Sequence, residues 1–267
     1  MAQNILIHIQ KGGSGKTATA IELSRALSLK GYKVLLVDTD QQANATKALI
    51  PNTEYYQNEY YALEHFLVGS CKFEETIIRY EDLRPEEQAI TSLPFDVVMA
   101  TKALMNADGA LVDKNSIFLL RDGLKSVDNK YDYIIIDSQP SVGLLPYSAM
   151  IAADKIIIPI DPDVSTFDCL PDMNLQIMDI QREYNPNLKI AGLLLVRFNF
   201  RTNLNKKIYE MAKMSATFMK TKLFDTYINE GNSIKVARAG HMSIQDYDPK
   251  SKPAIDYMSF TEEFLKS

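Results

Sequence analysis

The sequence predicts an α/β protein with a single doubly wound, mostly parallel sheet and helices on both of its faces. Apolar runs of strand length alternate with segments of helical periodicity, which is typical of parallel strands joined by crossover helices. Two of these runs, Ile134–Ile136 and Ile156–Ile158, are continuous and β-branched, as expected for strands buried on both faces. No linker or repeat interrupts the 267 residues, so we expect one domain over residues 1–267.

Seven strands and two long helices are predicted along the chain. Helices are predicted over Thr17–Lys30, where apolar residues recur at helical spacing, and over Ser165–Tyr184, which an Asn-Pro pair follows. The segment from about 41 to 93 is the least regular, and we expect it to be an elaboration between two strands. The strands are predicted at Asn4–Gln10, Lys33–Asp38, Asp96–Ala100, Tyr131–Asp137, Lys155–Ile160, Ile190–Phe198 and Lys222–Ile228.

The composition argues against a membrane, secreted or metal-cluster protein. Hydrophobic residues make up 46% of the chain and charged residues 24%, which is ordinary for a soluble globular protein. No apolar stretch approaches the roughly 20 residues that span a bilayer, and the N-terminus lacks the features of a signal peptide. Cys71 and Cys169 lie far apart and outside any zinc or iron–sulfur motif. We therefore expect a cytoplasmic protein without a membrane partner.

Charge is distributed unevenly along a chain whose net charge is −5. From Arg197 to Lys252 there are 11 lysines and arginines against 5 acidic residues, whereas residues 54–96 carry 10 acidic residues against 3 basic ones. A basic C-terminal third, about 197–252, is often only a solvated surface, but it also suits binding to a polyanion. The charges alone leave both interpretations open.

A glycine-rich turn follows the first predicted strand and opens the first predicted helix. At such a position backbone N–H groups surround a phosphate, and glycines let the backbone approach its oxygens. Lys16 is expected to neutralise the β- and γ-phosphates, and the Thr17 hydroxyl to bind Mg²⁺. Gln10 stands where a strict GxxxxGK pattern has glycine, and the turn begins with an additional lysine, Lys11. The turn therefore predicts a site for ATP and Mg²⁺, formed by Lys11, Gly12, Gly13, Ser14, Gly15, Lys16, Thr17 and Ala18.

Two other predicted strands end in aspartate. The second runs into Asp38 and Asp40, and the fourth runs into Asp137. In a doubly wound sheet, ligands bind outside the carboxyl ends of the strands. A carboxylate there can hold a metal-bound water or orient an attacking water. A single aspartate could simply favour the turn, but two such strand ends together with the glycine-rich turn favour the site.

Four segments resemble the ParA/Soj partition ATPases and occur in the family's order. Val37–Thr46 is similar to the family signature IDxDPQGNAT, and Tyr131–Gly143 is similar to YDYIIIDxPPSxG. Near the C-terminus, Arg201–Leu204 matches RTNL, and Asp246–Lys252 resembles the YDPxSK ending. The resemblance extends from residue 5 to beyond 255, although the stretch from about 47 to 95 contributes no motif.

The resemblance implies a P-loop ATPase that forms a homodimer around two ATP molecules. By this resemblance Lys11 reaches the partner's phosphates, Lys16 contacts its own, and Asp40 orients the attacking water. Asp38 and Asp137 are implied to manage the Mg²⁺ shell together with Thr17. The positions of Asn199 and Pro249 suggest them for adenine recognition.

The resemblance also implies a function in DNA segregation. The ATP-bound dimer of such proteins binds DNA without sequence preference on the nucleoid, and a ParB-type centromere-binding partner stimulates slow hydrolysis that releases it. In a gapless match, Glu230 and Ser233 occupy the positions of two arginines common in the family, one of them used for DNA. The basic residues expected to contact DNA here are Arg201, Lys206, Lys207, Lys235 and Arg238.

An alternative of a different class is a nucleotide-gated binding or scaffold protein with weak or vestigial hydrolysis, for example in replication control or MinD-like positioning. Gln41, Ala43 and Gln139 replace residues that are usual in the ParA/Soj motifs, and these substitutions keep the alternative open. A MinD-like lipid anchor is not expected, because the ending Phe260–Ser267 is short and carries two glutamates against one lysine.

Overall fold

The computed structural model describes residues 1–51, 59–79, 95–107, 116–201 and 203–267. Seven strands form one sheet in the order β3-β4-β2-β5-β1-β6-β7. Every neighbouring pair is parallel except β3 and β4, so the predicted fold class is confirmed. The strands are β1 Gln3–Ile7, β2 Val34–Thr39, β3 Ile77–Arg79, β4 Phe95–Val98, β5 Tyr133–Ser138, β6 Lys155–Ile160 and β7 Lys189–Leu195.

Eleven α-helices lie within the described residues, and short 3₁₀ turns occur at Phe73–Thr76, Ser116–Phe118 and Val164–Thr166. None of these helices combines the length and apolarity needed to cross a membrane. The helices are α1 Lys16–Leu29, α2 Asn44–Leu49, α3 Leu63–Leu67, α4 Leu104–Ala107, α5 Leu119–Val127, α6 Leu144–Ala152, α7 Leu170–Glu183, α8 Asn203–Phe218, α9 Ser233–Ala239, α10 Ile244–Tyr247 and α11 Lys252–Leu265.

Two apolar cores cover the two faces of the sheet. One core packs α1 and α11 against alternate residues of the strands, such as Ile5 and Ile7 of β1. The other packs α5, α6, α7 and α8 against the intervening residues, such as Leu6. Helices thus cover both faces, and the central strands are buried on both sides, as their continuous apolar runs predict.

The predicted strand at Lys222–Ile228 is wrong, because the described chain makes only isolated bridges there, at Leu223 and Asn229. The N–H groups of Asp225 and Thr226 donate to the Glu263 carboxylate of α11, each at 2.8 Å, and so do not extend the sheet. Several helix and strand boundaries also differ from prediction: for example, β1 ends at Ile7, α7 begins at Leu170 after a 3₁₀ turn, and β7 ends at Leu195.

The predicted irregular elaboration at 41–93 contains the short helices α2 and α3, a 3₁₀ turn and the short strand β3. Of these elements, the strand β3 was not expected from the sequence. Its remaining parts, 52–58 and 80–93, lie outside the described residues. Strand β3 pairs antiparallel with β4 at one edge of the sheet. The elaboration therefore reaches the edge opposite β7, away from the centre of the sheet.

Register brings the predicted site residues together at the centre of the sheet. β1 lies between β5 and β6, so the glycine-rich turn that follows β1 emerges between them. Ile7 of β1 pairs with Asp137 of β5, and Asp137 pairs in turn with Asp38 of β2. The carboxyl ends of three adjacent strands therefore deliver the turn and both aspartates to one place.

Candidate nucleotide site

The turn from Lys11 to Gly15 adopts a conformation that needs glycine at two positions. Gly13 has φ 73° and Gly15 has φ 88°, in the left-handed region that residues with a Cβ rarely enter. A Cβ on Gly15 would also lie 3.0 Å from a methyl carbon of Val196. Gly15 is the N-cap of α1, so the turn closes onto the positive end of a long helix, where anions are stabilised.

Lys16 is held inside this turn. Its side chain is buried, and Nζ donates a hydrogen bond of 2.7 Å to the backbone oxygen of Lys11. Burial lowers the pKa of Lys16, while the nearby carboxylates of Asp137 and Asp40 oppose that shift. A poorly solvated ammonium at the N-terminal end of a helix favours an anion beside it.

Asp137 is a fully buried carboxylate with only partial compensation. Neither of its oxygens makes a hydrogen bond of ordinary geometry among the described residues, and the nearby Thr17 hydroxyl and Lys16 ammonium offset its burial only in part. Burial, followed by the charge of Asp38, raises the pKa of Asp137 well above its usual range. Thr17, the other predicted metal ligand on this side, lies beside it. Unpartnered carboxylate oxygens next to a hydroxyl are ligands that suit Mg²⁺.

Asp38 is compensated, in contrast to Asp137. Its Oδ1 accepts from the Asp40 N–H at 3.0 Å, and its Oδ2 accepts from the N–H and hydroxyl of Thr46 at 2.8 and 2.7 Å. Burial still raises the pKa of Asp38 to about 6. In this structure Asp38 therefore holds the start of α2 and the loop that carries Asp40, while its predicted role in the Mg²⁺ shell stays a prediction.

Asp40 is buried at the mouth of the site and is fixed by two contacts. Its Oδ1 accepts from the Gln42 N–H at 2.8 Å, and its Oδ2 accepts from the Asn44 side-chain amide at 3.1 Å. Ala43, within the same loop, has φ 51°. Alanine thus adopts the left-handed conformation at the position where the family motif usually has glycine.

The additional lysine, Lys11, makes contacts within its own chain. Its Nζ lies 3.3 Å from Asp161, 3.0 Å from Asp163 and 2.7 Å from the Thr166 hydroxyl. Arg197 completes this group of charges, because its guanidinium donates to Asp161 at 3.1 Å and to the Gly13 oxygen at 2.6 Å. These partners of the turn were not predicted from the sequence. Asp161 follows an apolar strand, as do Asp38 and Asp137, and that signal could have identified it.

A cavity of about 670 Å³ lies against the turn. Five other predicted residues do not line this cavity. Asn199 and Pro249, predicted for adenine, are not among its lining residues. The predicted DNA contacts Arg201, Lys206 and Lys207 are exposed on or before the first turn of α8. Lys235 and Arg238 of α9, predicted to face DNA, line the cavity. The full lining is Gly12 to Ala18, Asp40, Gln42, Asn44, Pro140, Val196, Arg197, Glu230, Gly231, Asn232, Ile234, Lys235, Arg238 and Tyr257.

Comparison with known proteins places this geometry in a family. A family model described as an AAA domain matches residues 2–190. The sporulation initiation inhibitor protein Soj of Bacillus subtilis is 33% identical over 264 residues, which cover 98% of each chain. The chromosome partitioning protein ParA of Myxococcus xanthus is also 33% identical, over 98% of this chain and 87% of its own.

A solved structure extends the comparison to a complex with a nucleotide analogue. A putative plasmid partition protein of Borrelia burgdorferi, bound to AMPPNP, superimposes with a TM-score of 0.76 at 25% identity. The alignment covers 99% of this chain and 98% of that one. Since the motifs, the fold and near-full-length identity agree, the resemblance stated from the sequence is confirmed: this chain belongs to the Soj/ParA family of partition ATPases.

Proposed function

We propose that this protein is a Mg²⁺-dependent ATPase that works as a partition switch. ATP closes a homodimer, the closed dimer holds DNA without sequence preference, and hydrolysis releases the DNA. The observation that carries the proposal is the buried, unpartnered carboxylate of Asp137 beside Thr17 and Lys16. Lys16 offsets the charge of this desolvated carboxylate only in part, since the pKa of Asp137 stays well above its usual range, and a divalent cation supplies further positive charge.

The cavity fits a nucleotide in size and in the character of its walls. Its volume of about 670 Å³ is in the usual range for ligand pockets, roughly 300–1,000 Å³. The glycine-rich turn forms the wall suited to phosphates, and Lys16 is the residue that we propose to contact the β- and γ-phosphates. Val196, Ile234 and Tyr257 give the remaining surface an apolar part. ATP is therefore the cofactor that we propose, with Thr17 and Asp137 holding Mg²⁺.

Asp40 is the residue that we propose to orient the attacking water. The two hydrogen bonds from Gln42 and Asn44 fix the direction of its carboxylate, and a fixed carboxylate can align a water without reorganising. Asp38 supports this arrangement, because its carboxylate accepts a hydrogen bond from the Asp40 N–H. When bound, Mg²⁺ neutralises charge on the phosphates, while Lys16 and the turn amides hold them in place.

In the proposed switch Lys11 has two positions, one paired within its own chain and one in contact with the phosphates of a partner subunit. In the single chain its ammonium is paired with Asp161 and Asp163, so it must leave these carboxylates before it can reach a partner subunit's phosphates. The γ-phosphate adds the negative charge that competes for it. Such a change of charge at an interface is how nucleotide switches bias a two-state element. Dimerisation should therefore depend on ATP rather than on ADP.

Basic residues on two elements support the proposed DNA contact. Arg201, Lys206 and Lys207 are exposed at the start of α8, where they face solvent and can contact phosphates. Lys235 and Arg238 lie on α9, which lines the nucleotide cavity. Occupation of the cavity can therefore change the position of α9 and couple ATP binding to DNA binding. A ParB-type partner that accelerates hydrolysis completes the proposed cycle.

ATP turnover tests the enzymatic part of the proposal. Wild type should hydrolyse ATP slowly with Mg²⁺, faster with DNA and partner, and not at all after chelation of the metal. Asp40→Ala and Lys11→Ala should abolish turnover, while Asp40→Ala retains ATP binding because it leaves the phosphate turn intact. If wild type with DNA and partner is no faster than Asp40→Ala, the switch mechanism is wrong.

Binding to a random-sequence DNA duplex tests the rest of the proposal. Measurements without nucleotide, with ADP and with ATP–Mg²⁺ across a salt series should reveal binding that needs ATP and weakens with salt. Lys235→Ala/Arg238→Ala and Lys206→Ala/Lys207→Ala should each weaken it, and Lys72→Ala, which removes an exposed lysine elsewhere, serves as the control. The second pair lies away from the cavity, so its effect separates DNA contact from nucleotide binding.

A second candidate function is a nucleotide-gated scaffold with weak hydrolysis, and the Asp40 loop favours it. Ala43, where the family motif usually has glycine, has a left-handed φ of 51°. A residue with a Cβ has less backbone freedom than glycine in that region, so the loop that carries Asp40 is less free to adjust to a water. ATP-dependent dimerisation without measurable turnover or DNA binding would support this candidate over the partition switch.

A further inference from the structure

His241 follows α9 in a backbone conformation that favours glycine. Its φ is 53°, in the left-handed region. Its N–H donates to the Arg238 oxygen, and the N–H of Met242 donates to the Ala237 oxygen, each at 3.1 Å. This pair of bonds is a common closure of a helix C-terminus, and glycine is the usual residue at its left-handed position. Because a Cβ is unfavourable there, an outlier of this kind points to a role for the side chain itself.

The ring of His241 closes a second helix, α2. Its Nδ1 lies 3.0 Å from the backbone oxygen of Lys47, in the last turn of α2. A carbonyl oxygen only accepts, so Nδ1 carries a proton and donates the hydrogen bond. Four residues after Lys47 comes Pro51, which has no N–H to offer this carbonyl in a longer helix. His241 therefore closes α9 with its backbone and α2 with its ring.

The segment that His241 closes also sets the direction of the Asp40 carboxylate. One oxygen of Asp40 accepts from the Gln42 N–H, and the other accepts from the Asn44 side-chain amide. Gln42 is held in turn by Lys47, whose Nζ donates to the Gln42 oxygen at 2.6 Å. Lys47 thus receives the ring of His241 on its backbone and contacts Gln42 with its side chain. Both groups that fix the Asp40 carboxylate belong to the segment bonded to His241.

α9 lies on the other side of His241 and forms part of the nucleotide cavity. Its residues Lys235 and Arg238 line the cavity and are the DNA contacts proposed for this helix. α9 also packs against α2. Because the backbone of His241 is bonded to α9 and its ring to α2, a shift of α9 acts on the helix that holds Asp40 in place.

We propose that His241 is a positioning residue that couples the orientation of Asp40 to the position of α9. When α9 shifts on contact with nucleotide or DNA, the bond to Lys47 moves α2, and with it the groups that hold the Asp40 carboxylate. Hydrolysis would then respond to what contacts α9, and this consequence rests on the proposed function. The coupling itself is a property of the folded chain and can be measured without ATP or DNA.

Two substitutions of His241 separate the donor on the ring from the backbone conformation. Asparagine and glycine both enter the left-handed region readily, so both should leave the closure of α9 intact. The side-chain nitrogen of asparagine is attached to Cγ, as Nδ1 of histidine is, and can donate in its place, whereas glycine has no donor. Lys220→Gly is the matched control, because Lys220 has a φ of 52° and is exposed after the end of α8.

Amide hydrogen exchange of the full chain without nucleotide tests the coupling. Ala237→Gly removes the buried side chain of α9 and should speed exchange in α9 in every background. In wild type, in His241→Asn and in Lys220→Gly, the same substitution should also speed exchange in α2 by at least about fivefold. In His241→Gly, exchange in α2 should be the same with and without Ala237→Gly. An equal response of α2 in His241→Gly, or no response in wild type, would overturn the coupling.

Steady-state turnover tests the functional consequence. The ratio of kcat with a saturating random-sequence DNA duplex to kcat without it should fall at least about fivefold in His241→Gly. His241→Asn should restore the ratio, and Lys220→Gly should leave it unchanged. A ring with a merely structural role would lower the free energy of unfolding in His241→Gly and leave the ratio as in wild type, which would refute the response of hydrolysis to α9. Absence of turnover or DNA binding in wild type would refute the proposed function, while the exchange measurement still decides the coupling.

Discussion

Replacing Gly15 by alanine should destabilise the protein for two separable reasons, and the turn contains a control for each. Gly15 has both a left-handed φ of 88° and a close neighbour, because its Cβ would lie 3.0 Å from Val196. Gly13 has the left-handed φ of 73° with no atom within 4 Å of its Cβ. Gly12 has neither feature. The three glycines therefore separate backbone strain from crowding.

The magnitudes follow from these geometries. Placing alanine in the left-handed region lowers the free energy of unfolding by about 1–2 kcal/mol. Alanine also restricts the unfolded chain more than glycine does, which raises the free energy of unfolding by about 0.4–1 kcal/mol. Gly13→Ala should therefore lower the free energy of unfolding by about 0.5–1 kcal/mol. Gly15→Ala adds crowding against a buried valine, at about 1–3 kcal/mol. Gly12→Ala should be neutral or slightly stabilising.

Urea unfolding without nucleotide, followed by circular dichroism, measures these free energies. The crowding part is isolated by a double-mutant cycle with Val196→Ala, which removes the clashing methyl groups while the strain remains. A coupling of about 1 kcal/mol or more between the two substitutions is expected for residues in contact. If Gly15→Ala is no more destabilising than Gly13→Ala, or if the cycle shows no coupling, the assignment of the cost to Val196 is wrong.

Three further substitutions test other parts of the site. Ala43→Gly should raise the free energy of unfolding by about 0.5–1 kcal/mol, because glycine removes the strain of φ 51°; an unchanged or lower value in urea would contradict this. Asp161→Asn should lower the free energy of unfolding by about 1–3 kcal/mol, because Lys11 and Arg197 lose their shared carboxylate. An equal loss of stability in the control Asp163→Asn, whose side chain is mostly exposed, would argue against a special role for Asp161. Burial raises the pKa of Glu22 from 4.5 to about 8, so its protonated form favours the folded state, and stability should fall as pH rises from about 4.5 to about 8. Unfolding measured across that range should show a weaker fall for Glu22→Gln, and equal pH profiles would count against the buried carboxylate as its source.

The phosphate turn was predictable because its information is local. A strand, three glycines and Lys16-Thr17 lie within consecutive residues, and the register of parallel strands then brings Asp137 to the same place. The intrachain partners of Lys11 were not predictable in this way, since Asp161 lies 150 residues away and is brought close by the pairing of β1 with β6.

The wrong strand has an equally particular cause. Residues 222–228 have the composition of a strand, but Glu263, in a distant helix, accepts two of their N–H groups. Lys235 and Arg238 stay predicted DNA contacts. A count of charges could not show that both residues also line the nucleotide cavity, because that depends on how α9 packs.

The two walls of the nucleotide cavity are anchored very differently. The glycine-rich turn continues from β1, which is hydrogen-bonded on both sides and lies in the middle of the sheet. The opposite wall includes α9, seven residues long, of which only Ala237 is buried. Local opening costs least where few apolar contacts hold an element, so amide hydrogen exchange should be slow in β1 and fast in α9. The half of the cavity formed by the glycine-rich turn would therefore be preformed and would fix the position of a nucleotide's phosphates. The half formed by α9 would adjust when a nucleotide binds, and this adjustment would change the protein surface at α9.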